Sequence, residues 1–76
     1  MTAIEMIKFL MEESGTTLSD FVEYIDIGTK SNVSQILSRK DLKVGTFVKM
    51  LEVMGFRLIA QNMESSEKYV IDNEEG

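Results

Sequence analysis

Residues 17–37 carry the stretch TLSDFVEYIDIGTKSNVSQIL, which decides the fold because it predicts two short amphipathic helices joined by a tight turn. Four apolar residues in its first half recur at helical spacing and so share one helix face: Leu18, Phe21, Val22 and Ile25. Thr17 precedes them, and Asp20 follows it at the spacing of a capping box. The first of the two helices is therefore predicted to begin near Leu18.

The turn is predicted at Asp26, Ile27 and Gly28, where the apolar pattern is interrupted. Gly28 can adopt the positive φ that a sharp reversal needs, and Ile27 is placed to fill the corner between the helices. Thr29 is the predicted N-cap of the second helix. The buried face of that helix is predicted to consist of Val33, Ile36 and Leu37.

The second helix is left with a polar outer surface made of Lys30, Ser31, Asn32, Ser34, Gln35 and Ser38. Ser and Asn are poor helix formers, so their presence indicates a demand other than solubility. Base edges in the major groove of DNA present donors and acceptors that such side chains can meet. The candidate base contacts are Lys30, Ser31, Asn32, Ser34 and Gln35. A polar helix that binds nothing is the alternative.

The net charge of −5 argues against DNA binding unless the charges are segregated along the chain. Residues 27–60 carry six basic and two acidic residues, whereas residues 1–26 carry one basic and six acidic, and residues 61–76 one basic and five acidic. Positive charge is thus concentrated on the second helix and the loop after it, as contact with phosphate requires. Chance clustering is the alternative. The candidate phosphate contacts are Thr17, Thr29, Ser38, Arg39, Lys40 and Lys43.

Two further helices complete a predicted bundle. One runs from Thr2 to about Glu13, with Ile4, Ile7, Leu10 and Met11 on its apolar face, and Gly15 ends it. The other runs from about Val44 to Met54, with Phe47, Met50, Leu51 and Met54 buried, and Gly55 ends it. Lys43 cannot cap this last helix with a hydroxyl, which either leaves it free for a phosphate or is a tolerated flaw.

The chain after Gly55 changes to the alternating pattern of β-strands over residues 56–61, and a second β-prone run follows at 69–72. A two-stranded hairpin is marginal alone, and this one is apolar on both faces. We therefore expect one face to pack on the bundle and the other face, or the strand edge, to meet a second subunit. The candidate dimer interface is Arg57, Ile59, Tyr69, Val70 and Ile71. A hairpin that only covers the core is the alternative.

Length and composition predict one small, mostly α domain. A four-helix bundle is expected over residues 1–55, a C-terminal β-hairpin of the same domain over 56–72, and a short acidic tail over 73–76. There is no Cys and no His, which excludes disulfides, the common zinc sites and the usual nucleophile–base pairs. No enzymatic activity and no cofactor are expected. Without an apolar run of secretory or membrane-spanning length, the protein is expected to be cytoplasmic.

The ordered set of these elements resembles the Cro-type, lambda-repressor-like helix-turn-helix family over about residues 3–60. The matching parts are the helix start at Thr17, Ile27 in the turn, the stretch from Asn32 to Leu37, and the closing helix from Leu42 to Gly55. Two departures stand out: Asp26 occupies the place of the usual turn Gly, and the gap from Ile27 to Val33 is one residue longer, through Gly28. This lengthened turn can shift the base-facing residues by one position.

The resemblance implies a sequence-specific DNA-binding transcriptional regulator, namely a small repressor that occludes a promoter as a homodimer on double-stranded DNA. The alternative is a protein-interaction module on the same fold, such as an antitoxin or a phage-encoded inhibitor, with secondary DNA binding or none. The acidic total charge favours the alternative, and the clustered basic loop favours the repressor.

Overall fold

Four helices and one hairpin make up the fold in a computed structural model that describes residues 1–72. The helices are α1 (Ala3–Ser14), α2 (Leu18–Tyr24), α3 (Lys30–Leu37) and α4 (Val44–Val53), followed by strands β1 (Leu58–Gln61) and β2 (Lys68–Ile71). The prediction of a mostly helical domain with a C-terminal hairpin is confirmed. The predicted acidic tail at 73–76 lies outside the described residues.

Reciprocal capping boxes begin the first two helices. The Thr2 hydroxyl accepts from the Glu5 backbone N–H at 3.1 Å, and the Glu5 carboxylate accepts from the Thr2 N–H at 2.8 Å. Hydrogen bonds from Thr2 hold the pKa of Glu5 below its ordinary value; the bond from the backbone has the larger effect and the bond from the hydroxyl the smaller. Thr17 and Asp20 form the same arrangement at α2, as the sequence predicts. Thr2 is an N-cap rather than the first helical residue, because its φ and ψ are extended.

A single apolar cluster joins all four helices at the centre of the molecule. Its buried members are Ile4, Ile7, Phe21, Ile27, Val33, Leu37, Met50, Leu51 and Met54. Two expectations are wrong in detail: Ile36 and Phe47 pack against this cluster but are only half-buried. Val48, which was not predicted, is buried. Val48 is buried because α4 contacts both α1 and α2, so the arc that α4 buries is wider than a single stripe. No polar or charged side chain is buried within residues 1–72.

The hairpin is antiparallel and attached to the bundle at its base. Its register is Leu58 opposite Ile71, Ile59 opposite Val70, Ala60 opposite Tyr69, and Gln61 opposite Lys68. Leu58 packs against the core and Ile71 is half-buried, while the rest of both strands is exposed. The first strand begins two residues later than predicted, because the Phe56 N–H still donates to the Leu51 carbonyl at 2.8 Å and closes the end of α4.

Candidate nucleic-acid interface

The connection between α2 and α3 is built as the sequence predicts. The Ile27 N–H donates to the Ile25 carbonyl at 2.9 Å, and the buried Ile27 side chain fills the corner between the helices. Gly28 has a φ of +91°, a conformation that other residues rarely adopt. Thr29 then caps α3, its hydroxyl accepting from the Asn32 backbone N–H at 3.2 Å. The helices α2 and α3 pack directly on each other.

The Asn32 side chain fastens this turn. Its Nδ2 donates to the Ile27 carbonyl at 2.6 Å, and the bond is partly buried. A β-carbon at position 28 would lie 3.3 Å from the same nitrogen, a tight contact that adds to the strain of the positive φ. Asn32 was predicted as a base contact, yet one of its amide donors is committed to the backbone. Sequence reasoning missed this role.

The remaining predicted base contacts are available for binding. Lys30, Ser31, Ser34 and Gln35 are exposed, and none of their side chains makes a hydrogen bond or ion pair within the part of the chain that the structure describes. They occupy one helix of eight residues. The arrangement therefore presents donors and acceptors that only solvent or a ligand can satisfy.

The basic loop between α3 and α4 brings two of the predicted phosphate contacts together. Arg39 and Lys43 line one cleft of about 200 Å³, beside Asn32, with Asp41 as an opposing charge. Lys40 is exposed but does not line this cleft. Lys43 forms no side-chain cap on α4, as predicted, so the first N–H groups of α4 are left for solvent or an anion.

The hydroxyl groups among the predicted phosphate contacts have intramolecular roles. The Thr17 hydroxyl donates to the Asp20 carboxylate at 3.1 Å, and the Ser38 hydroxyl donates to the Gln35 carbonyl at 2.7 Å. Each hydroxyl has one proton, so Thr17 or Ser38 can donate to a phosphate only by giving up that bond. The Thr29 hydroxyl only accepts, from the Asn32 N–H, and its own proton is free to be donated.

Lys8 of α1 lies beside the predicted interface, which sequence reasoning did not foresee. It lines an open groove of about 280 Å³ with Ser34 and Ser38 of α3. It also lines a larger groove of about 560 Å³ with Thr17 and the acidic Glu12. The one signal in the sequence was that Lys8 is the sole cation of residues 1–26. The structure thus adds a fourth cation around the polar helix.

Comparisons with known proteins give no match: none was found among protein-family models, curated proteins or solved structures. Residues 1–72 contain no group of three or more His, Cys, Asp or Glu side chains arranged to hold a metal ion. In the same residues, no helix has the length and apolar character needed to cross a membrane.

Proposed function

We propose that this chain is a sequence-specific DNA-binding protein of the lambda-repressor-like helix-turn-helix type, and that α3 enters the major groove. One observation carries the proposal: α3 exposes four polar side chains without intramolecular partners, and cations border it on two other elements. An α-helix with its side chains is about 10–12 Å in diameter, which fits the width of the major groove, about 12 Å. The sequence resemblance supports the same assignment.

Base recognition is assigned to the free side chains of α3. The Gln35 amide can pair with adenine through one donor and one acceptor, and Lys30 can donate to guanine. Ser31 and Ser34 can form hydrogen bonds with either adenine or guanine. Asn32 holds the turn instead, and so positions the others rather than reading sequence itself.

Phosphate contacts are assigned to the cations around α3. Arg39, Lys40 and Lys43 follow its C-terminal end, and Lys8 lies beside Ser34 and Ser38. Such contacts supply affinity that does not depend on sequence and fix the orientation of the protein on the duplex. The exposed start of α4 adds N–H groups and the positive end of the helix dipole.

A homodimer bound to a symmetric site is the proposed assembly. Ile59, Tyr69 and Val70 expose 45%, 62% and 55% of their surface on the hairpin, so apolar side chains are exposed on both of its faces. A two-fold axis would place two α3 helices about 34–36 Å apart, one turn of DNA. Occlusion of a promoter is the regulatory mechanism that requires nothing beyond this binding.

A gel shift tests the proposal, using duplex DNA from upstream of the protein's own gene and unrelated DNA of equal length. We expect a retarded complex with the upstream duplex that weakens steeply as salt rises, and weaker binding to the unrelated duplex. Absence of any complex at low salt would overturn the proposal.

A protein-interaction module is the second candidate, favoured by the net charge of −5. Its acidic side chains are exposed on α1 and α2, as Glu12, Glu13 and Glu23 show. An antitoxin or inhibitor that has lost DNA binding would leave both duplexes unshifted in the same experiment.

A further inference from the structure

The outer edge of β2 has unpaired backbone groups at defined positions. The Asn62 N–H donates to the Glu67 carbonyl at 2.9 Å, which extends the strand register by one pair beyond Gln61 and Lys68. In an antiparallel ladder, pairs that exchange hydrogen bonds alternate with pairs that do not. Ala60–Tyr69 and Leu58–Ile71 are therefore bonded pairs. Lys68 and Val70 direct their N–H and C=O groups away from β1, as does Asp72 if the alternation continues.

Only certain registers allow a second copy of β2 to join this edge. Outward-facing residues must lie opposite outward-facing residues, so the two-fold axis of a symmetric antiparallel pairing has to pass through a residue and not between two residues. The possible centres are the four residues of β2 and Asp72, which follows them. If the axis passes through Lys68 or Asp72, that charged side chain lies opposite its own copy. If the axis passes through Tyr69 or Ile71, a charged side chain lies opposite Val70. Centring on Val70 places Lys68 of each copy opposite Asp72 of the other.

We propose that two copies of this chain pair antiparallel through β2, centred on Val70, to form one four-stranded sheet in the order β1, β2, β2, β1. This rests on the homodimer in the proposed function and assigns its contact. Asp72 lies four residues after Lys68, about 13 Å along an extended chain, which is too far for the two side chains to pair within a copy. Their opposite charges therefore match only across the two-fold axis.

The same register accounts for the exposed apolar side chains. Cross-strand partners share a face, so the two Val70 side chains meet at the axis with Ile59 beside each of them. On the opposite face, Tyr69 of each copy lies next to Ile71 of the other. Aromatic and β-branched side chains make favourable cross-strand pairs. A sheet of four strands also gives the hairpin the support that two strands lack.

A charge-swap experiment tests the register in the absence of DNA. In a dimer of Lys68→Glu, Glu lies opposite Asp72 at two places. In a dimer of Asp72→Lys, Lys lies opposite Lys68 at two places. Each variant should weaken dimerisation by about tenfold or more in sedimentation equilibrium. An equimolar mixture of the two variants should recover dimerisation, because their heterodimer has two opposite-charge pairs. Controls with equal charge changes elsewhere, Lys49→Glu and Glu64→Lys, should dimerise like the wild type.

A cysteine variant gives an independent readout, because the chain has no cysteine of its own. Val70→Cys places one thiol of each copy at the axis, within the distance that a disulfide spans, so mild oxidation should yield a covalent dimer. Met63→Cys, at the fully exposed hairpin turn, is the control and should crosslink far more slowly.

Three results would overturn the inference: a monomeric wild type at tens of micromolar, single charge variants that dimerise normally, or a mixture that does not recover. If the single charge variants dimerise normally and the gel shift is intact, the DNA-binding proposal stands and the dimer contact lies elsewhere. A gel shift that fails while the charge swap behaves as expected would instead reject the DNA-binding proposal alone.

Discussion

Asn32 bonds through its side-chain Nδ2 to the Ile27 carbonyl at 2.6 Å, and this bond spans the turn between α2 and α3. The residue therefore links the lengthened turn to the first turn of the helix that carries the exposed polar side chains. The bond and the positive φ of Gly28 lie in the same turn, so both help to set the direction in which α3 leaves it.

Asn32→Ala should destabilise the fold by about 1–3 kcal/mol, because the Ile27 carbonyl is left without its partner in a partly buried position. Chemical denaturation measures the loss in free energy of unfolding. Ser31→Ala is the matched control, since that exposed side chain has no bond within the described chain, and it should change stability by less than about 0.5 kcal/mol. Equal effects of the two substitutions would contradict the role of Asn32.

Gly28→Ala should destabilise by about 1–3 kcal/mol, because alanine is strained at a φ of +91° and its β-carbon crowds Asn32. Thermal unfolding followed by circular dichroism measures the effect. Gly45→Ala, inside α4 with open space around it and an ordinary φ, is the control and should be neutral or stabilising. A tolerated alanine at 28 would show that the turn is not held as described.

Gln35→Ala should weaken binding to the best DNA site by about 1–3 kcal/mol and relax the preference at one base position. The physical reason is the loss of paired amide contacts that no neighbouring side chain replaces. Fluorescence anisotropy on the site and on its single-base variants provides the measurement. The assignment fails if affinity for specific and random DNA falls by the same factor.

Replacing Lys8, Arg39, Lys40 or Lys43 singly with Ala should weaken binding to all duplexes about equally and reduce the slope of log affinity against log salt by about one. Lys49→Ala is the control. That lysine lies beside Tyr24 and Asp26 on a different surface, so its loss should leave the slope unchanged. Four unchanged slopes would remove the phosphate assignment.

Acid should remove the stabilisation that Glu5 contributes to α1. The folded-state pKa of Glu5 is lowered by its bonds to Thr2, so the charged form is favoured on folding. This contribution is present above the unfolded pKa and is lost as pH falls through the lower folded pKa. The Tm difference between wild type and Glu5→Gln should therefore shrink on acidification. A difference that stays constant with pH would contradict this.

Roles set by the types of neighbouring residues were predictable from the sequence, and contacts that depend on the completed fold were not. Gly28, Thr29 and Ile27 have roles set by their immediate neighbours, and each was predicted correctly. The amide of Asn32 finds a carbonyl whose direction depends on the completed turn, so no pattern of residue types indicated it. Lys8 approaches α3 only because α1 packs across the bundle.

Selection of binding sites from a random duplex library tests the central claim most directly, since it requires no assumption about the target. Full-length protein is used at moderate salt, with Gln35→Ala in parallel. We expect enrichment of one site with two-fold symmetry, its half-sites about one helical turn apart, and altered preference at one position per half-site for the variant. A wild-type library that remains random after selection would contradict the claim that α3 reads DNA sequence.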